Sequence, residues 1–507
     1  MEELAQQPWR LYPAEDPDAL AIRMVGGGTR TWDELETRAR RVARALGAER
    51  IEAGGAFAVL AENRLEWGEL HAGNARAGTR LVPLNWHLTA RELSELLTDS
   101  GAQLLISDEQ HGERGREAAA LAGIDRFLTL GEEYEGWLAS FSDEPLPERA
   151  AGSLMLFTGG TTGRSKGVDR SDRHSSVTDW PKLSQAWARL TRMPAVGRSL
   201  VTTPLYHALG GIAFQASLAF GVPVVVDGRF DAPRTLQLIE EHRITTTAMV
   251  PTQFIRLLKL DDDVRQAADV SSLEWVLHTA APCPDWAKRA MIDWFGPVIY
   301  ELYGSSEGTG PAICDSEEWL AHPGTVGRAS AAVEYSIVDD DGHDLPTDEI
   351  GTIYCRRFDG APEYHGDPEK TAAMVLPDGR FTVGDLGWLD EEGFLYLADR
   401  RVDLIISRGS NIYPAEIEGV LVEHPTIADA AVFGLPHPEW GQSIIAVLEP
   451  VDASTGVDTK SVLTFVSERL AAFKVPDRVD VVEKLPREAH GKLKKRLLRD
   501  RYLSVGQ

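Results

Sequence analysis

"TWDELETRARRVARALGAERIEAGGAFAVLAENRLEWGELHAGNARAG", residues 31–78, changes period twice. In its first third, Leu35, Ala39, Val42 and Leu46 recur near one face of a helix. "GGAFAVLAEN" is a short continuous apolar run, the pattern of a buried strand. "EWGELHAGNARAG" then returns to helical spacing. The alternation continues along the chain: "RELSELLTDSG" precedes "AQLLISD", and "PRTLQLIEEHR" precedes "ITTTAMVP". Helices alternating with short apolar strands predict an α/β fold with mostly parallel sheets. There is no fixed-period repeat and no low-complexity tract.

After about Asp315 the texture changes. "EYSIVDDDGHDLP", "EIGTIYCRR" and "GFLYLADR" are short strands separated by Asp-Gly and Glu-Gly turns, which predict antiparallel hairpins and a small barrel. A second change follows "DRRVDLIISRGSNIYP". From Glu416 the spacing predicts helix, strand, helix, strand ("EIEGVLVEH", "DAAVFGLP", "SVLTFVSERL", "DRVDVVEKL"), a compact α+β unit of its own. The basic run that closes the chain, Lys494, Lys495, Arg496 and Arg499, reads as a solvated helix face.

A chain of 507 residues has room for about three or four domain-sized units with sizeable cores. The formal net charge of −26 argues against a nucleic-acid or anionic-membrane binder, since both need a positive field. "MEELAQQPWRLYP" lacks the basic start and apolar run of a signal peptide. The most apolar stretch, "GGIAFQASLAFGVPVVV", is interrupted by Gln215, Gly221 and Pro223 and falls short of a membrane span. Cys283, Cys314 and Cys355 have no paired spacing, so neither a disulfide framework nor a zinc cluster is expected. These features predict a cytoplasmic, reduced protein.

Two glycine motifs compete for a functional reading. "FTGGTTGRSKGV" (157–168) follows the strand-like "SLMLF" and combines Gly159, Gly160 and Gly163 with hydroxyls and two cations. Backbone amides in such a loop can form an anion nest. The loop has neither the Gly-Lys-Ser/Thr of the common triphosphatases nor the Gly-x-Gly-x-x-Gly of dinucleotide folds. By composition alone it is a phosphate cradle or a plain surface turn. "YGSSEG" gives Gly304-x-Ser306-x-Gly308, the spacing of a hydrolase nucleophile elbow, although Gly310 and Pro311 stand where a helix should begin.

Six further motifs decide between these readings: "PLYHALG" (204–210), "ELYGSSEG" (301–308), "TVGR" (325–328), "VGDLG" (383–387), "DRRVDLIISRGSNIYPAEIE" (399–418) and "REAHGKLKK" (487–495). With the glycine loop, in this order and over nearly the whole chain, they resemble the adenylate-forming superfamily. The layout is most similar to its acyl- and aryl-CoA synthetases, the AMP-binding family. The resemblance implies a large N-terminal domain over 1–401, made of two mostly parallel sheet subdomains and a small β-barrel at about 315–398. It implies a smaller mobile α+β lid over 402–507. The implied reaction joins a carboxylate to the α-phosphate of MgATP, releasing pyrophosphate, and then passes the acyl group to the thiol of coenzyme A with loss of AMP.

The resemblance also implies roles for particular residues. Thr158, Gly159, Gly160, Thr161, Thr162, Gly163 and Lys166 would cradle the β- and γ-phosphates. Glu307 would hold Mg²⁺ with Thr161, hard oxygen ligands suiting a hard cation. Tyr303 would stack on adenine beside Ser306, Asp385 would accept the ribose hydroxyls, and Arg400 would contact ribose or phosphate. Lys492 would bridge the acid and the α-phosphate, with His207 beside the carboxylate. Gly409 would line a pantetheine tunnel, while Trp440 and Phe473 would pack around the CoA nucleotide. Ala208, Leu209, Met249, Leu302 and Gly310 would line an apolar acid pocket with no cation for a second carboxylate. The expected partner is therefore a small hydrophobic monoacid, not a nucleic acid, and the expected assembly a homodimer.

Several positions depart from the family pattern. Gly159 replaces a usual serine and Ser165 a usual proline. Val402 stands where relatives carry Asp or Lys in the hinge, and a β-branched residue restricts backbone rotation. His87 stands where many relatives carry an arginine expected near the CoA phosphates, and Val475 adds no charge nearby. These departures keep a second acceptor in view: an amine or a carrier-protein thiol.

Overall fold

The structure, a computed structural model, describes residues 11–12, 16–147, 150–158, 166–169, 176–177, 179–305, 309–331, 333–357, 361, 368–400, 403–407, 410–454, 456–487 and 493–505. The chain forms two compact units, one of residues 1–248, 269–276 and 362–371, the other of residues 249–268, 277–361 and 372–507.

The first unit carries a six-stranded sheet in the order Arg126–Thr129, Ala102–Ser107, Ala56–Leu60, Arg80–Pro83, Ser153–Thr158, Lys166–Asp169. All neighbours are parallel except the last pair. Strand Ala56–Leu60 is buried throughout. Phe57 and Val59 join one apolar cluster, and Ala56, Ala58 and Leu60 join another. A strand with helices on both faces needs this two-sided apolarity, hence the continuous run in the sequence. Helix Trp32–Ala48 buries Leu35, Ala39, Val42 and Leu46 completely, as the helical spacing predicts. Its start is fixed by a capping box in which the Thr31 side chain accepts from the Glu34 amide and the Glu34 side chain accepts from the Thr31 amide. A second parallel array joins Leu20–Met24, Val224–Val226, Ser199–Val201 and Thr246–Met249.

In the second unit, antiparallel pairing runs Ile299–Tyr303, Ala312–Cys314, Thr325–Ala329, Phe394–Arg400, Asp385–Leu389, Gly351–Arg357, Val333–Val338. The predicted hairpins are present, but closure into a barrel is not among the pairings of the described residues. Gly327 of "TVGR" sits at a break in register with φ +102°, and a Cβ there would lie 2.1 Å from the Ile313 carbonyl carbon. The glycine of this motif is thus required by strand crossing.

The C-terminal part differs from the sequence reading by one strand. Helix Pro414–Glu423 is followed by a long hairpin, Ile427–His437 with Gly441–Pro450, before helix Thr459–Ser467 and strand Arg478–Val481. The second hairpin arm, "GQSIIAVLEP", alternates between two cores: Ile444, Ala446 and Leu448 in one, Ile445 and Val447 in the other. Residues of this part share their first core with Ile255 and Ala287, and Lys259 Nζ donates to the Ile427 carbonyl. By their contacts they fall in one compact unit with segments from before residue 402. No helix among the described residues is long and apolar enough to cross a membrane.

Candidate active site

In the first unit the glycine loop joins two hydrogen-bonded strands. Ser153–Thr158 pairs antiparallel with Lys166–Asp169, and Thr158 stands opposite Lys166. The backbone at the two ends of the loop is therefore held together by a ladder. Gly159, Gly160, Thr161, Thr162 and Gly163 lie outside the described residues.

His207 caps the N-terminus of helix Ala208–Ala219, with extended backbone (φ −91°, ψ 153°) and its carbonyl accepting from the Gly211 amide at 2.9 Å. The chain enters this helix over its own start. A Cβ on Gly210 would lie 2.4 Å from the Pro204 carbonyl oxygen, so the motif's glycine permits the turn that presents His207. The His207 ring packs on Tyr206 at 4.2 Å between centroids. Ala208 keeps partial exposure, while Leu209 is buried. His87 is exposed and its ring lies tilted against Trp86 at 3.6 Å.

In the second unit, Tyr303 and Asp385 come together. The Tyr303 phenol donates to Asp385 Oδ2 at 2.8 Å, with both residues buried. Burial and then the Asp385 charge push the Tyr303 phenol well above its ordinary range, so it stays a donor. A carboxylate offers about four acceptor positions, and one phenol does not exhaust them. Gly384, at φ +85°, turns the chain into strand Asp385–Leu389, and its amide donates to Thr382 Oγ1 at 3.0 Å. Asp385 pairs across the ladder with Arg400, whose backbone stands directly opposite. The arrangement suits a nucleoside: an aromatic ring anchored beside a carboxylate, with a basic residue's position on the next strand.

The other predicted residues of this unit fall as follows. Leu302 lies on the opposite strand face from Tyr303 and keeps partial exposure. Gly310, at φ +82°, has Val333 where a side chain would be, and its carbonyl accepts from the Tyr335 phenol at 2.6 Å. Its smallness is thus a packing need. Met249 has no exposed surface and packs as core, so it contributes nothing to a pocket wall in this conformation. Trp440 stacks on His437 at 3.9 Å, and His437 Nδ1 accepts from the Trp440 amide at 3.2 Å. Phe473 is 42% exposed on a short 3₁₀ turn beside Lys474. Val475 is partly buried and packs against the apolar cluster that holds Ile427 and Val462. Ser306, Glu307, Val402, Gly409 and Lys492 lie outside the described residues.

After Thr309 the chain runs through Pro311 into strand Ala312–Cys314, where a nucleophile elbow requires a helix. The hydrolase reading therefore lacks its structural context.

One cluster was not foreseen. Glu301, two residues before Tyr303 on the same strand face, accepts from Lys288 Nζ at 2.6 Å. His278 Nε2 lies 3.5 Å from Glu301 Oε2, and Lys288 lies 3.7 Å from Cys314 Sγ. Burial raises the Glu301 carboxyl, opposed by Lys288. Burial alone would lower the Lys288 ammonium, but the Glu301 charge, the hydrogen bond to Glu301 and the nearby Cys314 and Cys283 together outweigh it and hold the lysine raised. Burial and Lys288 push His278 far down, leaving it neutral. Glu301 belongs to a recognised motif, yet nothing in its spacing signals a lysine thirteen residues earlier.

Comparison with known proteins gives the family. Residues 10–365 match the AMP-binding enzyme model and residues 416–492 the AMP-binding enzyme C-terminal domain model. The chain is 32% identical to the fatty acid–[acyl-carrier-protein] ligase ScoC of Streptomyces coeruleorubidus, covering 98% of this chain and 96% of the relative. It is 34% identical to a feruloyl-CoA synthase of an Amycolatopsis species, over 96% of each. Among solved structures, ATP-bound MatB from Rhodopseudomonas palustris superposes with a TM-score of 0.82 at 29% identity, over 98% of each chain. The chain belongs to the AMP-binding enzyme family, within the adenylate-forming superfamily.

Proposed function

We propose that the protein activates a hydrophobic acyl or aryl carboxylic acid with ATP and transfers the acyl group to coenzyme A. The observation that supports this is the buried Tyr303–Asp385 pair at 2.8 Å, an aromatic ring beside a carboxylate that would accept the ribose hydroxyls. In the first step a carboxylate oxygen bonds to the α-phosphorus and the bond to pyrophosphate breaks. In the second the acceptor thiol displaces AMP from the acyl-adenylate. The residues with phosphate roles act by holding like charges in register and offsetting charge that builds on the oxygens.

His207 would orient the acid carboxylate from the helix start, and Lys492 would bridge it to the α-phosphate. The loop from Thr158 to Lys166 would grip the leaving pyrophosphate, and Arg400 would contact ribose or phosphate. Mg²⁺, held by Glu307 and Thr161, would supply neutralising charge. Gly409, Trp440 and Phe473 would receive coenzyme A. Leu209 and Leu302 support an apolar acid. A cytoplasmic enzyme fits these substrates.

A second acceptor is supported by particular residues. His87 and Val475 give no permanent cation for the CoA phosphates, and a relative with 32% identity is a carrier-protein ligase. The deciding measurement is ATP–pyrophosphate exchange across a panel of aryl, medium-chain and polycyclic acids, followed by thioester assay with coenzyme A. Exchange with thioester is the expected result. Exchange without thioester favours the carrier-protein thiol or an amine, and absence of exchange with every acid sinks the proposal.

A further inference from the structure

A row of aromatic rings in the first unit runs toward His207. His87 lies tilted against Trp86 at 3.6 Å and 31°. His111 stacks on the same indole at 5.2 Å and 11°. Trp86 meets Tyr206 edge to face at 6.4 Å and 81°, and Tyr206 lies 4.2 Å from the His207 ring. Trp86 is also held by its backbone, because the Arg114 guanidinium donates to its carbonyl. The same Arg114 nitrogen lies 3.1 Å from His111 Nδ1, and the His111 amide donates to Asp108 Oδ1 at 2.9 Å. Tyr206 is 4% exposed, so its ring has little room to turn while Trp86 is in place. Rings in such contact favour offset and edge-on geometries, which makes the row directional.

We infer that Trp86, acting through Tyr206, is a positioning residue for His207 and fixes His87 on the same indole. Neither Trp86 nor Tyr206 needs to touch a reacting atom for this. Trp86 sits in the loop between strand Arg80–Pro83 and helix Ala90–Ser100, while Tyr206 precedes the helix that His207 caps. The row thus links a residue on one loop to the orientation of a ring on another. The inference rests on the reading of His207 as the residue beside the acid carboxylate.

The test is a double-mutant cycle read by ATP–pyrophosphate exchange, using the acid with the highest exchange in the panel. Trp86→Leu is expected to raise the acid KM about tenfold and to leave the ATP KM within about twofold, because misplacing one orienting group affects the substrate it orients. On a His207→Ala background the Trp86→Leu change should add nothing, as residues acting through one another are not additive. Trp86→Phe should recover most of the loss, and Tyr206→Phe should stay near wild type, since both keep a ring in the row. Equal rises in both KM values, or an additive loss on the His207→Ala background, would overturn the inference. His207→Ala with an unchanged acid KM would sink the parent reading, whereas an impaired His207→Ala beside an unaffected Trp86→Leu sinks this inference alone. Melting temperatures identify folded variants, and if Trp86→Leu does not fold, the cycle on Trp86→Phe gives the same sign with smaller amplitude.

Discussion

Glu301 and Asp385 are both buried carboxylates in family motifs, 6% and 9% exposed, and they accept from different kinds of donor. Glu301 faces an ammonium at 2.6 Å with a neutral histidine nearby, and the group is closed off inside the unit. Asp385 accepts from a phenol at the start of a strand, where a glycine turn delivers it opposite Arg400. The two sites are joined by a single strand, Ile299–Tyr303, with Glu301 and Tyr303 on one face. A carboxylate matched by a full opposite charge is spent on holding elements together. A carboxylate has about four acceptor positions, and Asp385 accepts at one of them from the neutral Tyr303 phenol.

The sharpest way to break this contrast is to remove one partner of the closed pair. Lys288→Met leaves Glu301 buried without its cation and should destabilise the fold by about 3–5 kcal/mol in urea denaturation. Lys288→Met with Glu301→Leu should recover most of that loss. Equal losses in the single and double variants would mean that the pair is not a matched charge site.

The phenol-bonded carboxylate, Asp385, is expected to show the reverse pattern. Asp385→Asn is expected to cut exchange about 100-fold, which corresponds to about 2.7 kcal/mol of lost transition-state stabilisation, with a melting temperature near wild type. Tyr303→Phe should be milder, on the order of tenfold in ATP KM, since it removes one hydrogen bond and keeps the ring. A large fall in melting temperature for Asp385→Asn, with exchange intact, would make it structural like Glu301.

A third site refines the comparison through lysine. Lys259 meets a carbonyl, that of Ile427, where Lys288 meets a carboxylate. Burial lowers the Lys259 ammonium from 10.5 to about 8, only partly offset by Asp429. Between those values the unfolded chain binds more protons, so this group makes stability rise as pH increases from about 8 to about 10. Lys259→Met should remove that part of the rise, seen as a smaller difference in melting temperature between pH 7.5 and 9.5. An unchanged difference would show that Lys259 is not desolvated by the contact.

Much of the fold was legible because local periodicity and burial agree. The helix of Leu35, Ala39, Val42 and Leu46 and the strand of Phe57 and Val59 were readable one segment at a time. Strand Gly441–Pro450 was missed because a run apolar on both faces carries no alternation to count. In the site, Tyr303 and Asp385 were named from motifs, and the structure adds that they touch. Met249 and Gly310 are hard to place from sequence because small or apolar residues near a motif look alike whether they face a ligand or a core, and only folding shows Met249 fully buried.

By itself the sequence determined the α/β class, the order of most segments and the membership in a family whose motifs are spread over the whole chain. Those are properties of local spacing and of residue type. Tertiary structure alone decided which carboxylate is matched by a cation, which glycine is needed for a close approach, and which ring supports His207. Each of these depends on partners brought close only by folding, such as Trp86 and Tyr206, 120 positions apart in the sequence. Electrostatic and packing energies follow distance in space, and distance along the chain does not report it.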